Sequence, residues 1–205
     1  IEYKKLIELY PDQVFYYSYD LSNSYDIKSE IFKKYIPNSL EIHGFVNNAA
    51  KAYDDIVTNI NINRLENMFK INVYSPLLMS KYVIRNMIFN RVKGSLINIS
   101  SISAHTGYKG LAMYAASKSA LEGFSKNVSR EWGEKGIRSN CIVAGFMETS
   151  MSSTLSTELK NRIFNRTSLK TPTDLNSVAS TVLFLLSDDS SSITGQNINV
   201  DSGTI

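Results

Sequence analysis

The chain has 205 residues, enough for one domain with a sizeable core, and its 43% apolar and 20% charged residues match an ordinary soluble globular protein. Its formal charge of +3 comes from scattered Lys and Arg with no basic stripe or reader motif, so a nucleic-acid partner is excluded. Cys141 is the single cysteine, which rules out an internal disulfide. No apolar run of about eighteen residues and no signal-like start occur, so a cytoplasmic protein without a membrane span is expected.

In chain order, five short apolar runs of strand length alternate with longer stretches of helical period. The first, Val14-Phe15-Tyr16-Tyr17-Ser18-Tyr19, is β-branched and aromatic and ends at Asp20. Ile42 to Val46 forms the second and ends at Asn47-Asn48. Leu65, Met68, Phe69, Val73, Leu77 and Leu78 then mark a helix that continues through Tyr82 and Met87. Ser95 to Ile99 is the third strand and ends at Ser100-Ser101. Tyr114, Ala115, Lys118, Leu121, Phe124, Val128 and Trp132 mark a second helix. Ser139 to Val143 is the fourth strand, ending at Ala144-Gly145, and Cys141 within it reads as a buried, inert thiol. Gly145 to Lys170 is rich in Ser and Thr and lacks a strong period, so it reads as a lid. Thr171-Pro172-Thr173-Asp174 is a helix-start signal for a helix reaching Leu186. Asn197 to Val200 is the fifth strand, before Asp201-Ser202-Gly203.

This alternation predicts the α/β class: one domain over residues 1–205, built from βαβ units, with a parallel sheet covered on both faces. His43 and His105 have no Cys, Asp or Glu partners at metal-ligand spacing, so no metal site is expected.

Ligands of open parallel sheets sit beyond the carboxyl ends of the strands. Asp20, Asn47-Asn48, Ser100-Ser101 and Gly145 all fall at such ends. Tyr114 and Lys118 lie four apart, on one helix face, so phenol and ammonium can approach the same point. A phenol has a reference pKa of about 10, and a nearby positive charge lowers it. At about 4 Å and an effective dielectric near 20, two charges interact by roughly 4 kcal/mol before hydration reduces the effect. Such a pair can exchange a proton with a substrate oxygen near neutral pH. The spacing alone also arises by chance, as a partly buried tyrosine beside a solvated lysine. Ser101, at the end of the third strand, adds a hydroxyl able to donate where negative charge develops; its bland alternative is a turn serine.

Taken in order, five motifs resemble the short-chain dehydrogenase/reductase family. They are Asn47-Asn48-Ala49-Ala50, Lys70-Ile71-Asn72-Val73, Ile97-Asn98-Ile99-Ser100-Ser101, Tyr114 through Lys118, and Gly145-Phe146-Met147-Glu148-Thr149. The resemblance runs from about Val14 to Gly203. It implies a Rossmann-like doubly wound sheet and an NAD- or NADP-dependent oxidoreductase. Tyr114 would be the general acid/base, Ser101 would orient the carbonyl, and Lys118 would lower the tyrosine pKa and hold the nicotinamide ribose. Asn72 would fix a backbone kink and a water linking Lys118 to solvent. The resemblance places Asp20 and Leu21, with Asn48, Ala49 and Ala50, on the adenosine side of the cofactor, and Gly145, Met147 and Thr149 on the nicotinamide side. For Asp20 and Asn72, a turn or helix cap is the structural alternative.

The sequence also departs from the family pattern. The glycine-rich turn that cradles the pyrophosphate at a helix N-terminus is absent; Gly107 and Gly110 sit in the active-site loop instead. The family sheet order 3-2-1-4-5-6-7 makes Val14–Tyr19 the third family strand, with the first two missing between it and Ile42–Val46. The expectation is roughly 30–45 further residues ahead of Ile1, the size of one βαβ start. Ala50, Ala144 and Ser202 replace a glycine, a proline and a glycine of the family.

Gly145 to Met151 and Gly123-Phe124-Ser125-Lys126 resemble 3-oxoacyl-acyl-carrier-protein reductases, enzymes of fatty acid biosynthesis. That resemblance implies an acidic carrier protein as partner, met by Arg91, Lys93 and Lys135 flanking the active site. It also implies a homotetramer, with Ser80–Asn90 and Tyr114–Trp132 as contact helices. Two other readings stay open: a family member acting on a sugar, polyol or other small ketone, and a cofactor-free remnant or binding subunit.

Overall fold

The computed structural model describes residues 2–149 and 155–205. Ser150 and Met151 of the motif after Gly145 lie outside the described residues. Four strands form one parallel sheet in the order β1 (Gly44–Asn47), β2 (Ser95–Ser101), β3 (Arg138–Ala144) and β4 (Asn197–Val200). Eight α-helices occur among the described residues: α1 (Glu2–Leu9), α2 (Lys33–Tyr35), α3 (Ile62–Phe69), α4 (Ser75–Asn90), α5 (Ser103–Thr106), α6 (Ala112–Trp132), α7 (Thr157–Phe164) and α8 (Leu175–Leu186).

Side chains alternate across β2, so one strand feeds two cores. Leu96 joins Val83, Ile84 and Met87 of α4 and Val128 of α6 on one face. Ile97 and Ile99 join Ile142 of β3 and Val178 and Leu185 of α8 on the other. The sheet is therefore covered on both sides, as the near-continuous apolar strands require. Asp174 caps α8, its carboxylate accepting from the backbone N–H groups of Asn176 and Ser177. Cys141 is fully buried, and burial pushes its thiol up to about 12, which makes it inert.

Residues 14–19 correct the reading of the first apolar run: they form no strand. A strand exists through its ladder partners, and the chain supplies none for this segment. Its aromatics stack locally instead, Tyr16 on Tyr3 at 3.9 Å and Tyr17 on Tyr35 at 4.0 Å between centroids, while Phe15 stays 68% exposed. Among the described residues β1 pairs with β2 alone and stands at the edge of the sheet.

Two boundaries also move. β2 runs on to Ser101, because the parallel ladder with β3 continues to Ser101 opposite Ala144. The stretch read as a patternless lid contains α7, whose start is capped by Ser156 accepting from Leu159 N–H. The single helix read from Leu65 to Met87 is interrupted at residues 70–74 by a π-type turn, in which Ser75 N–H reaches back to Lys70 C=O.

Ser202, which stands where the family carries glycine, has φ +57°. A side chain in this left-handed region is strained by about 1–2 kcal/mol, only partly offset by the freedom that glycine adds to the unfolded chain. Ser202→Gly is expected to raise the unfolding free energy by about 0.5–1 kcal/mol in urea titration. An unchanged or lower midpoint contradicts the strain.

Candidate active site

The chemistry-bearing side chains meet at the carboxyl end of the sheet. Ser101 is the last residue of β2, and Tyr114 and Lys118 occupy the first turns of α6. Lys118 is 2% exposed and donates to the Ile99 carbonyl at 2.7 Å, with its ammonium 5.7 Å from the centre of the Tyr114 ring. The sequence therefore brings these three groups together as its spacing requires.

The electrostatics correct one expectation. Burial pushes the Tyr114 phenol up to about 12, the Asp54 carboxylate adds to the rise, and a hydrogen bond with Ser101 works against it. The expected fall under the influence of Lys118 is not present. Desolvation of the phenolate outweighs it, and Lys118 itself is brought down by burial to about 8 from its ordinary 10.5.

Ser101 is held by a neighbour that sequence reasoning passed over. Its Oγ accepts from both the N–H and the hydroxyl of Ser103, at 3.2 and 3.1 Å. With its lone pairs so engaged, the Ser101 proton is the group left to donate, toward the phenol oxygen or a substrate oxygen. The sequence offered only a second serine two residues on; its burial appears in the structure alone.

Asn72 lies within the π-type turn and is 1% exposed. Its side-chain amide accepts from Lys51 N–H at 2.8 Å and donates to Lys51 C=O at 2.9 Å and to Ser117 Oγ at 3.0 Å. Ser117 in turn donates to the Tyr114 carbonyl. One amide thus joins the loop after β1 to the helix that carries Tyr114.

Asn48 and Ala49 are exposed beyond the end of β1, with Ala50 half-buried. Asp20 is exposed and accepts from Ser22 N–H at 2.9 Å, a turn closure that holds its carboxyl below the usual range. Lys51 adds a smaller pull in the same direction, which puts Asp20 beside the loop after β1. The Leu21 carbonyl accepts from Ser75 Oγ at the start of α4. Gly145 follows β3, and a Cβ there would stand 2.6 Å from the Asp201 backbone, so only glycine fits. Met147 packs half-buried against the α8 core, and Thr149 is exposed.

Arg91, Lys93 and Lys135 do not flank this site. Arg91 caps α4 and Lys93 precedes Ser95, while Lys135 precedes Arg138, the residue opposite Ser95. All three stand at the amino end of the sheet, about 20 Å along β2 from Ser101 at roughly 3.3 Å per residue. The basic patch expected beside the active site is on the opposite edge.

Residues 2–204 match the family model described as enoyl-(acyl carrier protein) reductase. This chain belongs to the short-chain dehydrogenase/reductase family. It is 37% identical over 191 residues to the 3-oxoacyl-[acyl-carrier-protein] reductase FabG of Chlamydia trachomatis, covering 93% of this chain and 76% of that protein. It is 33% identical over 175 residues to an L-xylulose reductase of Caenorhabditis elegans, covering 84% and 69%. Among solved structures, a 4-hydroxyisoleucine dehydrogenase complexed with NADH and succinate superimposes with a TM-score of 0.87 at 28% identity, over 97% of this chain and 84% of that one. A gluconate 5-dehydrogenase from Burkholderia cenocepacia in complex with NADP and tartrate shares the fold, with a TM-score of 0.88 at 23% identity over 98% and 80%. About a quarter to a third of those two curated relatives lies outside the match. The enzymes of this family are oxidoreductases that use NAD or NADP.

The donor set fits the nicotinamide half of such a cofactor. Among the described residues Lys118 spends one of its three ammonium hydrogens, on Ile99, and keeps two for a ribose diol. Asp20, within electrostatic reach of Lys51, and the exposed Asn48 and Ala49 are free of burial beside the end of β1. No glycine-rich turn for the pyrophosphate occurs in residues 1–205.

Holding Lys118 charged in this interior has a cost that depends on pH. Its folded value of about 8 lies below 10.5, so the unfolded chain binds more protons between those limits and this contribution to stability rises with pH there. Below pH 8 the full penalty applies, about 3 kcal/mol. Lys118→Met is expected to be more stable than the parent at pH 7 by about 2 kcal/mol, after the lost bond to Ile99 is counted. The advantage should shrink toward pH 9. A variant less stable at pH 7, or equally favoured at both pH values, contradicts the buried-charge account.

Proposed function

We propose that this protein reduces a 3-oxoacyl thioester carried on an acyl carrier protein, with NADPH or NADH as reductant. The observation that carries this reading is the Tyr114 phenol, pushed up to about 12 by burial and hydrogen-bonded to Ser101. An acid that stays protonated throughout the neutral range donates to an oxygen that is becoming an alkoxide, which is the direction of carbonyl reduction.

In this mechanism Ser101 donates to the substrate carbonyl oxygen and polarises it. Reduced nicotinamide, when bound, supplies hydride to the carbonyl carbon. Tyr114 gives its proton to the carbonyl oxygen, and the Lys118 ammonium stabilises the phenolate that remains. Lys118 and Tyr114 hold the ribose. Asp20, Leu21, Asn48, Ala49 and Ala50 bind the adenosine side, and Gly145, Met147 and Thr149 bind the nicotinamide side. Asn72 keeps the Lys51 loop and α6 in register and holds the water that links Lys118 to solvent, along which a proton returns by way of Lys118 to the Tyr114 phenolate. The working form is a cytoplasmic homotetramer.

The carrier-bound substrate is supported by the relatives named for that reaction, at about 35% identity. The L-xylulose reductase relative supports a second reading, a small sugar or polyol ketone. Both reduced cofactors assayed against an acetoacetyl thioester on carrier protein and on coenzyme A, and against a panel of small ketoses, discriminate them. Preference for the thioester is expected; turnover of ketoses alone overturns it, and no cofactor binding favours a binding subunit.

Tyr114→Phe is expected to lower turnover by about 10²–10⁴-fold with cofactor affinity unchanged. Near-normal rates contradict the assignment. In the reductive direction, turnover should be flat below about pH 8 and fall above it, as Lys118 loses the charge that steadies the phenolate. A rate that rises through pH 8 excludes that role.

A further inference from the structure

The stripe that carries Tyr114 and Lys118 continues one turn further along α6, to Glu122. Glu122 is 8% exposed and has no Lys or Arg ion pair among the described residues. Its Oε1 accepts from Ser100 Oγ and lies 3.0 Å from His105 Nε2, and its Oε2 accepts from Asn197 Nδ2 at 2.7 Å. A carboxylate this buried is tolerated because three donors surround it. Those donors come from three segments: the end of β2, the one-turn helix α5 and the start of β4. The imidazole donates in this contact when its proton is on Nε2.

Apart from these contacts, the near half of the loop, Ser101 to Thr106, makes few hydrogen bonds to the rest of the protein. Ile102 N–H donates to Ala144 C=O, and the N–H groups of His105 and Thr106 close back on Ile102 C=O. Beyond Thr106, Gly107 and Gly110 adopt φ of +65° and +85°, and the far end of the loop is tied at Gly110, whose C=O accepts from Asp55 N–H at 2.9 Å. Among the described residues, His105 is the α5 side chain hydrogen-bonded to the helix that carries Tyr114. Ser103, which engages both lone pairs of Ser101, is in the same turn as His105.

We infer that Glu122 is a positioning residue that, through His105 and Ser100, clamps the Ser101–Thr106 turn onto α6 so that the Ser101 hydroxyl and the Tyr114 phenol address one oxygen atom. This rests on the reading of Ser101 and Tyr114 given above. A turn free to shift by about 1 Å leaves both groups present but misaligned, which slows the chemical step without weakening cofactor binding.

The test compares the parent with His105→Ala, His105→Gln and Glu122→Gln. His105 is a third exposed, so its replacement opens no core cavity. Amide hydrogen exchange of residues 101–106 reads the clamp directly, and thioester reduction with NADPH reads alignment as kcat against KM. His105→Ala is expected to speed exchange of the His105 and Thr106 amides several-fold and to lower kcat about tenfold. Cofactor KM and Tm should stay close to the parent, and His105→Gln, which restores a donor, should recover most of kcat. Unchanged exchange in both His105→Ala and Glu122→Gln overturns the clamp, as does a kcat loss that follows Tm and is not relieved by glutamine. A parent enzyme that reduces none of the substrates counts against the reductase reading alone, and exchange then decides the clamp by itself.

Discussion

Lys118 is a cation buried to 2% exposure, anchored by one strand carbonyl, Ile99, at 2.7 Å. An ammonium in such a place is costly unless hydrogen-bonded, so its position is tightly set by the strand it touches. That strand, β2, also ends in Ser101, and the helix that carries Lys118 also carries Tyr114. The register of β2 against α6 therefore fixes all three groups at once. The two apolar clusters on either face of β2 supply the packing that maintains it.

Polar side chains, in addition to the apolar packing of Tyr114 against Met68 and Met113, join the site to the rest of the molecule. Asn72 bridges the loop after β1 and α6 through Lys51 and Ser117. Asn47 donates to Asn98 Oδ1 at 2.8 Å and to Ser80 Oγ at 3.1 Å, linking β1, β2 and α4 below the same edge. Glu122 ties β2, α5 and β4 to α6. Directional bonds of this kind specify orientation, which apolar packing does not, and they are concentrated where two hydroxyls must face one atom.

Most of the architecture was legible because it rests on local periodicity. The Ser95 and Ser139 runs, the Tyr114–Trp132 stripe and the Thr-Pro-Thr-Asp start of α8 each announce an element through neighbours in sequence. Val14–Tyr19 has the same composition yet forms no strand, since strand formation is decided by a partner that composition does not reveal. α7 was hidden because its cap and short apolar face are weak signals inside a Ser- and Thr-rich stretch. Arg91 and Lys93 stand just before β2 and Lys135 just after α6, so they adjoin the site's elements in sequence, but a strand has two ends, and these residues belong to the end away from Ser101.

The sequence by itself determined which residues could do acid–base chemistry and on which helix face they stand, because four-residue spacing is a local property of the backbone. It also determined that no phosphate-cradling turn lies within residues 1–205. Only the tertiary structure decided the state of those groups. It decided that the phenol is pushed up and the ammonium down, because desolvation depends on what is packed around a group. It also decided that His105, isolated in sequence, meets Glu122 seventeen residues away, because the loop between Ser101 and Tyr114 folds back onto the helix that follows it.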